Sequence, residues 1–316
     1  MKPTILLAAG LPAGLFGRRA EQYSILQVRH PEQGSLQPEA RQARALITFG
    51  GFKTDAALIA ALPNLGLIAC YGTGFDGVEL AAAKARGIIV TNGGTANATA
   101  VAEFAMGLVI ACGRDMVRGD RALRRGQWRG DVIERMSVTP GLAGQRLGIY
   151  GLGSIGMKIA QRAAPFEMEI GYHNRRPRSD VSFAYHPTLL GLAAWADVLL
   201  VAVRADASNY RAINAEVLTA LGTKGRLVNI SRGIAVDEAA LCDALESGGI
   251  AGAALDVYEH EPTVPPRLLG LDNVILTPHM AAISGDAQRA QRDVLFANLE
   301  AFFAGRPVLT PVLGEQ

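Results

Sequence analysis

Three ionisable side chains stand just past short apolar runs in the second half of the chain: Arg232 in "NISRG", Glu261 in "LDVYEHEP" and His279 in "LTPHMAA". Read as strands, those runs place all three groups at the carboxyl ends of a doubly wound sheet, where ligands bind. An arginine grips a carboxylate through a two-pronged fork, an imidazolium gives a proton to a developing alkoxide, and a carboxylate keeps that donor charged. Reduction of a 2-oxo acid needs those three roles. It also needs a hydride source and a scaffold.

The pattern G-x-G-x-x-G, which would hold such a source, occurs twice, at Gly72-Gly74-Gly77 and at Gly151-Gly153-Gly156. The pattern alone is weak, so its surroundings decide. After "GLGSIG" (151–156), Ile155, Ile159, Ala163 and Phe166 recur at helical spacing, and a further strand ends at "EIGYH" (169–173). That is a βαβ unit whose helix N-terminal N–H groups receive a pyrophosphate. The earlier trio leads only into the short "VELAAAKARG", and its next strand ends at "VTNGG" with no charged residue. It reads as a tight turn.

Beyond the second strand of a dinucleotide unit, an acidic residue ordinarily accepts the ribose 2′-OH. Here the chain runs "HNRRPR". Asn174 removes the charge that would repel a 2′-phosphate, and Arg175 and Arg176 supply guanidinium donors for it. NADP(H) is the expected cofactor, with NAD(H) possible. Within the glycine loop, Gly151, Gly153, Ser154, Ile155 and Gly156 are its candidate contacts.

Elements of two kinds must position these groups. Apolar runs such as "TILLAAG", "ALITFG", "GLIACYG" and "GIIVTN" alternate with Ala-rich amphipathic stretches, and "RLGIYG", "DVLLVAV", "RLVNIS", "AGAALDV" and "NVILTP" continue the series. Continuous apolar strands between helices predict parallel sheets covered on both faces, an α/β chain of two doubly wound domains. The segment 99–116 reads as one long helix bridging two sheets, and 285–308 as another, closed by Gly305 and Pro307. Length and composition agree: 316 residues, 49% hydrophobic and 19% charged, suit a compact globule with two cores. A net charge of +2 gives no electrostatic case for nucleic acid or an anionic membrane. Cys70, Cys112 and Cys242 are odd in number and widely spaced, as expected of reduced, buried thiols in a cytoplasmic protein. The apolar opening is broken by Pro12 and reads as a first buried strand rather than a signal peptide. No uninterrupted apolar run reaches ~18 residues, so no membrane span is expected.

Several stretches, in this order, resemble one family: "YGTGFDGVEL", "GLAGQRLGIYGLGSIG", "VNISRG", "GAALDVYEHEP" and "VILTPHMAA". The chain is similar to the D-isomer-specific 2-hydroxyacid dehydrogenases, and within them to the glyoxylate/hydroxypyruvate reductases. The resemblance implies a catalytic set of Arg232, Glu261 and His279, with Asp256 by the nicotinamide. It implies that amides near Thr73 and Gly74 hold the substrate carboxylate, so the first glycine trio gains a role. Thr99 and Val203 complete the cofactor contacts so implied; no metal is. A Rossmann-type cofactor domain over 97–285 is implied, set in a discontinuous, flavodoxin-like substrate domain of residues 1–96 and 286–316.

Two departures stand out. Arg204 lies where many relatives carry proline, and Ala281-Ala282 where Gly-Ser is frequent. Arg204 either adds charge near the cofactor or caps a turn. The expected activity is NADPH-dependent reduction of small 2-oxo acids, glyoxylate or hydroxypyruvate. Alternatives are an aryl-pyruvate reductase, a phosphoglycerate dehydrogenase-like enzyme, or a dinucleotide-responsive corepressor-like protein. The apolar "FAMGLVIACG" and the basic stretch to Trp128, within 99–130, suggest a two-fold homodimer. Trp128 itself reads as packing, substrate-cleft or interface. His30, His186 and His260 have no partner at useful spacing, His173 is read as structural or adenosine-side, and Asp237-Glu238 as a helix start.

Overall fold

The computed structural model describes residues 2–11, 13–30, 36–128, 139–204 and 206–312. The chain runs β1 (Thr4–Ala8), β2 (Ser24–Val28), β3 (Ala45–Thr48), α1 (Ala56–Ala61), β4 (Leu67–Cys70), α2 (Leu80–Ala85) and β5 (Ile89–Thr91). Next come α3 (Ala98–Gly113), α4 (Met116–Arg124), β6 (Arg146–Tyr150), α5 (Ser154–Ala163), β7 (Glu169–His173), β8 (Ala184–Tyr185), α6 (Leu189–Trp195) and β9 (Val198–Val201). The remainder is α7 (Ala215–Leu221), β10 (Arg226–Asn229), α8 (Glu238–Glu246), β11 (Gly252–Leu255), α9 (Pro266–Leu269), β12 (Val274–Leu276) and α10 (Gly285–Phe303). Two compact units result, Met1–Asn97 with Ser284–Gln316, and Ala98–Ile283.

In the first unit every strand pair is parallel, in the order β2-β1-β3-β4-β5. That is the flavodoxin-like order. Ile5, Leu6, Leu46, Ile47, Leu67 and Ile68 are fully buried in one core, which α10 joins through Leu295, Phe296 and Leu299. Burying such a side chain contributes about 1.5–3 kcal/mol, which explains why the central strands carry no polar alternation. The opening stretch forms β1 of this sheet.

In the second unit the order is β12-β11-β10-β9-β6-β7-β8, again wholly parallel. The order reverses between β6 and β9, the switch point at which a Rossmann sheet opens its crevice. Val198 and Leu200 enter one core while Leu199 and Val201 enter another. Both faces are therefore apolar and covered, as period-two alternation on a doubly wound sheet requires.

The long helix expected over 99–116 is broken. α3 ends at Gly113 and α4 begins at Met116, because Asp115 adopts φ 50 between them. Aspartate tolerates that left-handed conformation better than most residues, and it reorients the chain. Residues 129–130 of the suggested interface stretch lie outside the described residues. The edge strands β2 and β8 went unread because they are short or mixed. Ser24 and Gln27 of β2 face solvent, and β8 has two residues. No described helix is long and apolar enough to cross a membrane.

Candidate active site

The turn after β6 is built by glycines that cannot be replaced. Gly151 has φ 101, and a Cβ there would lie 2.5 Å from the Val203 backbone; at Gly156 it would lie 2.3 Å from the Gly151 carbonyl. These contacts seat the loop on the end of β9 and bring α5 tight against the sheet. Gly153 differs: the space its Cβ would enter is open, and it precedes α5 with no side-chain cap. Exposed Ser154, half-buried Ile155 and the free first-turn N–H groups of a ten-residue helix therefore meet open space. A pyrophosphate fits that arrangement, receiving N–H groups and the positive end of the helix dipole.

Beyond β7, Asn174 does more than remove a charge: its Oδ1 accepts from the Leu152 N–H at 2.7 Å. Arg175 and Arg176 are both exposed. The Asp206 carboxyl is held below the usual range by its bonds from Ser208 and, beyond those, by the nearby guanidiniums of Arg175 and Arg204. Arg204 thus stands in the same electrostatic neighbourhood as Arg175, and its carbonyl also accepts from Asn209 at 2.9 Å.

The catalytic candidates gather at the same edge of the second unit. The His279 Nδ1–H donates to Glu261 Oε2 at 2.7 Å, and Glu261 Oε1 accepts from the Tyr258 N–H at 3.1 Å. Burial alone would raise the Glu261 carboxyl. The bonds from His279 and Tyr258, with the charges of His279 and Arg232, outweigh it and hold the group below its ordinary value. Arg232 follows β10, and its Nη1 donates to the Ser231 carbonyl at 2.7 Å. A Cβ on Gly233 would lie 1.8 Å from Tyr258 C, so only glycine lets the arginine turn approach the turn that carries Glu261. His279 itself has φ 50.

Asp256, 1% exposed, holds that histidine turn. Its Oδ1 accepts from Thr277 Oγ1 (2.6 Å) and the Met280 N–H (2.9 Å), and its Oδ2 accepts from the Ala281 N–H (2.9 Å). A carboxylate offers about four acceptor sites, which leaves one for a ligand.

Thr99 is exposed in the first turn of α3, a helix packed on α5. In the first unit, Thr73 and Gly74 follow β4. Thr73 Oγ1 donates to Asn97 Oδ1 at 2.8 Å, and its carbonyl accepts from Asn92 Nδ2 at 2.8 Å. A Cβ on Gly77 would lie 2.3 Å from the Phe52 carbonyl, so this glycine trio packs as a turn.

Several supporting residues escaped the sequence reading. Buried Asn229 pins the arginine turn, donating to the Arg232 carbonyl and accepting from the Ser231 N–H, both at 3.0 Å. Glu238, read only as a helix start, accepts the Glu259 N–H at 2.9 Å and so steadies the approach to Glu261. The helix-start reading holds for both: Asp237 caps α8 by accepting from the Ala239 and Ala240 N–H groups, and Glu238 stands in its first turn. His30 is not unpartnered: its Nε2 lies 3.0 Å from Asp55 Oδ1, a contact across 25 residues that no local spacing reveals. His186 packs on Trp195, and His173 Nδ1 meets the His186 carbonyl at 2.8 Å. Trp128 is 66% exposed, so packing within the chain does not account for it. The three cysteines are buried and unbridged, with burial pushing the Cys70 thiol up to about 12.

A Rossmann sheet, a glycine loop at a helix start and an Arg–Glu–His cluster at the sheet's carboxyl edge define a dinucleotide-dependent oxidoreductase. Residues 106–281 match the model of the D-isomer specific 2-hydroxyacid dehydrogenase, NAD binding domain. Glyoxylate/hydroxypyruvate reductase A of Arabidopsis thaliana is 37% identical over 311 residues, 98% of each chain. Hydroxyphenylpyruvate reductase of Plectranthus scutellarioides is 39% identical over 87% of each. Among solved structures, the NADPH-dependent glyoxylate/hydroxypyruvate reductase of Sinorhizobium meliloti, in complex with NADP and malonate, superposes with a TM-score of 0.91. It is 39% identical and covers 99% of this chain and 97% of its own. The chain belongs to the D-isomer-specific 2-hydroxyacid dehydrogenase family.

Proposed function

We propose that this protein reduces small 2-oxo acids, glyoxylate and hydroxypyruvate first among them, to 2-hydroxy acids at the expense of NADPH. The observation that carries the reading is the 2.7 Å His279–Glu261 bond at the sheet edge that also bears Arg232. A bound nicotinamide dinucleotide supplies the hydride. Glu261 accepts at Nδ1 and so presents Nε2 of His279 as the proton donor to the forming alkoxide. Arg232, drawn close by Gly233, holds the substrate carboxylate and polarises its carbonyl. In the first unit, the N–H groups of Thr73 and Gly74 are proposed as donors to a substrate carboxylate. Asp256, with one acceptor site free, is proposed to meet the nicotinamide carboxamide, and Thr99 and Val203 to border the cofactor.

Arg175 and Arg176 are assigned to the 2′-phosphate, with Arg204 adding charge nearby. Their exposure and the lack of a carboxylate at Asn174 support NADPH over NADH. The protein is proposed to work in the cytoplasm as a homodimer, for which the exposed Met116, Leu123 and Trp128 offer apolar surface. The similarity to a hydroxyphenylpyruvate reductase favours a second substrate class, the aryl-pyruvates.

NADPH and NADH oxidation across glyoxylate, hydroxypyruvate and hydroxyphenylpyruvate tests these assignments. A charge-assisted contact contributes about 1.5–3 kcal/mol, or roughly 10- to 150-fold in affinity. Replacing either Arg175 or Arg176 by an uncharged residue raises KM for NADPH within that range, replacing both raises it further, and NADH use stays nearly unchanged. A parent that binds NADH as tightly as NADPH at low salt sinks the assignment of the arginines. Light scattering that returned a monomer at micromolar concentration would remove the dimer.

A further inference from the structure

Leu152 sits in the middle of the glycine loop, and both of its main-chain polar groups are held by one segment on the far side of β7. Its N–H donates to Asn174 Oδ1 at 2.7 Å, and its carbonyl accepts from Arg178 Nη1 at 2.9 Å. Arg178 is itself fixed from two sides. Its N–H donates to the hydroxyl of Tyr172, a residue only 1% exposed within β7, at 2.8 Å. Its guanidinium also meets the Asp180 carboxylate through two oxygens, Nε to Oδ1 at 2.9 Å and Nη2 to Oδ2 at 2.5 Å. A bidentate pair of this kind fixes the plane of the guanidinium, so the remaining Nη1–H can be aimed.

Of the two glycines that flank Leu152, Gly151 is already held, its N–H donating to the His173 carbonyl at 3.0 Å and its backbone packed on Val203, whereas Gly153 meets open space. The backbone freedom left at the opening of α5 therefore lies at Gly153, next to Leu152. Fixing the N–H and C=O of the residue between the glycines removes that freedom before any ligand arrives.

We propose that Asn174, Arg178 and Asp180 form a clamp that sets the pyrophosphate loop through Leu152, while their neighbours Arg175 and Arg176 read the 2′-phosphate. The inference rests on the dinucleotide reading of the loop but separates two jobs within "NRRPRSD". Arg178 acts on the part shared by NADPH and NADH; Arg175 and Arg176 act on the part that differs. Arg178 is a positioning residue here, since its donor is committed to Leu152 rather than to a ligand.

Calorimetric affinities of the full chain for NADPH, NADH and AMP, which lacks the pyrophosphate, test this. Hydrogen exchange at the Leu152 amide in the ligand-free protein adds a readout independent of binding. Arg178→Ala weakens NADPH and NADH by the same factor, about 5- to 30-fold for one or two net hydrogen bonds, and leaves AMP unchanged. Asp180→Asn, which keeps the arginine but loosens its aim, moves both dinucleotides the same way by less. Asn174→Ala exposes the Leu152 amide to exchange, and Asn174→Asp, which keeps an acceptor, restores its protection. An Arg178→Ala protein that binds both dinucleotides like the parent, or loses NADPH alone, overturns the clamp while leaving the dinucleotide reading in place. A parent that binds neither dinucleotide overturns both.

Discussion

The turn that presents His279 depends on Asp256 more than on any local preference. A histidine at φ 50 is uncommon and persists only where neighbouring bonds hold it. Asp256 supplies three of those bonds, to Thr277, Met280 and Ala281, from a fully buried position. Asp256→Ala removes every one and strands the Met280 and Ala281 N–H groups, while the Thr277 hydroxyl keeps only its longer contact to the Leu255 carbonyl at 3.3 Å. Breaking such a buried, charge-assisted set costs about 3–5 kcal/mol, and for a unit of this size that lowers Tm by roughly 6–20 °C. The turn then relaxes, and a displacement of about 1 Å at the proposed proton donor costs on the order of 100-fold in rate. Asp256→Asn keeps one acceptor but sets an NH2 group against an N–H, so its loss falls between parent and alanine. The assay pairs thermal melting with steady-state kinetics at temperatures where each variant stays folded. The drop must appear in kcat, with KM for the 2-oxo acid changing less, because Arg232 is held separately through Asn229. An Asp256→Ala protein with parental kcat refutes the claim that this carboxylate positions His279.

Other expectations follow from the same geometry. Arg232→Lys loses far more in kcat/KM than in NADPH affinity, since an ammonium cannot copy the two-pronged grip; equal turnover removes Arg232 from the mechanism. In the first unit, the Leu58 N–H bond, with help from His30 and Lys53, lowers the Asp55 carboxyl to about 2. A depressed carboxyl stabilises the fold above its unfolded value near 4 and loses that contribution as pH falls through its folded value. Acid melting curves of the parent should therefore fall between about pH 4 and pH 2, and Asp55→Asn should flatten that slope; an unchanged slope counts against a folded-state role for the Asp55 carboxylate that caps α1.

Much of this was legible in the residues. β3, β4, β9 and β10 are buried on both faces, so their apolar runs announced a parallel sheet, and "GLGSIG" announced its switch point. Arg232, Glu261 and His279 could be read because each follows such a run. What could not be read depends on contacts across long stretches of chain. The Asn174–Leu152 bond spans 22 residues, the His30–Asp55 contact 25, and Glu238 reaches the Glu259 N–H over 21. None of these pairs leaves a periodic trace. The break at Asp115 was hidden for another reason. The apolar face continues through it, and a single left-handed residue is invisible to helical periodicity.

The proposed reaction is direct hydride transfer to C2 of a 2-oxo acid, with the proton coming from His279. Hydroxypyruvate reduced with NADPH deuterated at the transferring C4 position, followed by NMR and chiral analysis of the glycerate, tests it most directly. The expected product carries one deuterium at C2 in the D configuration, and His279→Gln lowers turnover by at least about 1000-fold. Product lacking deuterium at C2, the L isomer, or a His279→Gln enzyme with near-parental turnover would contradict it.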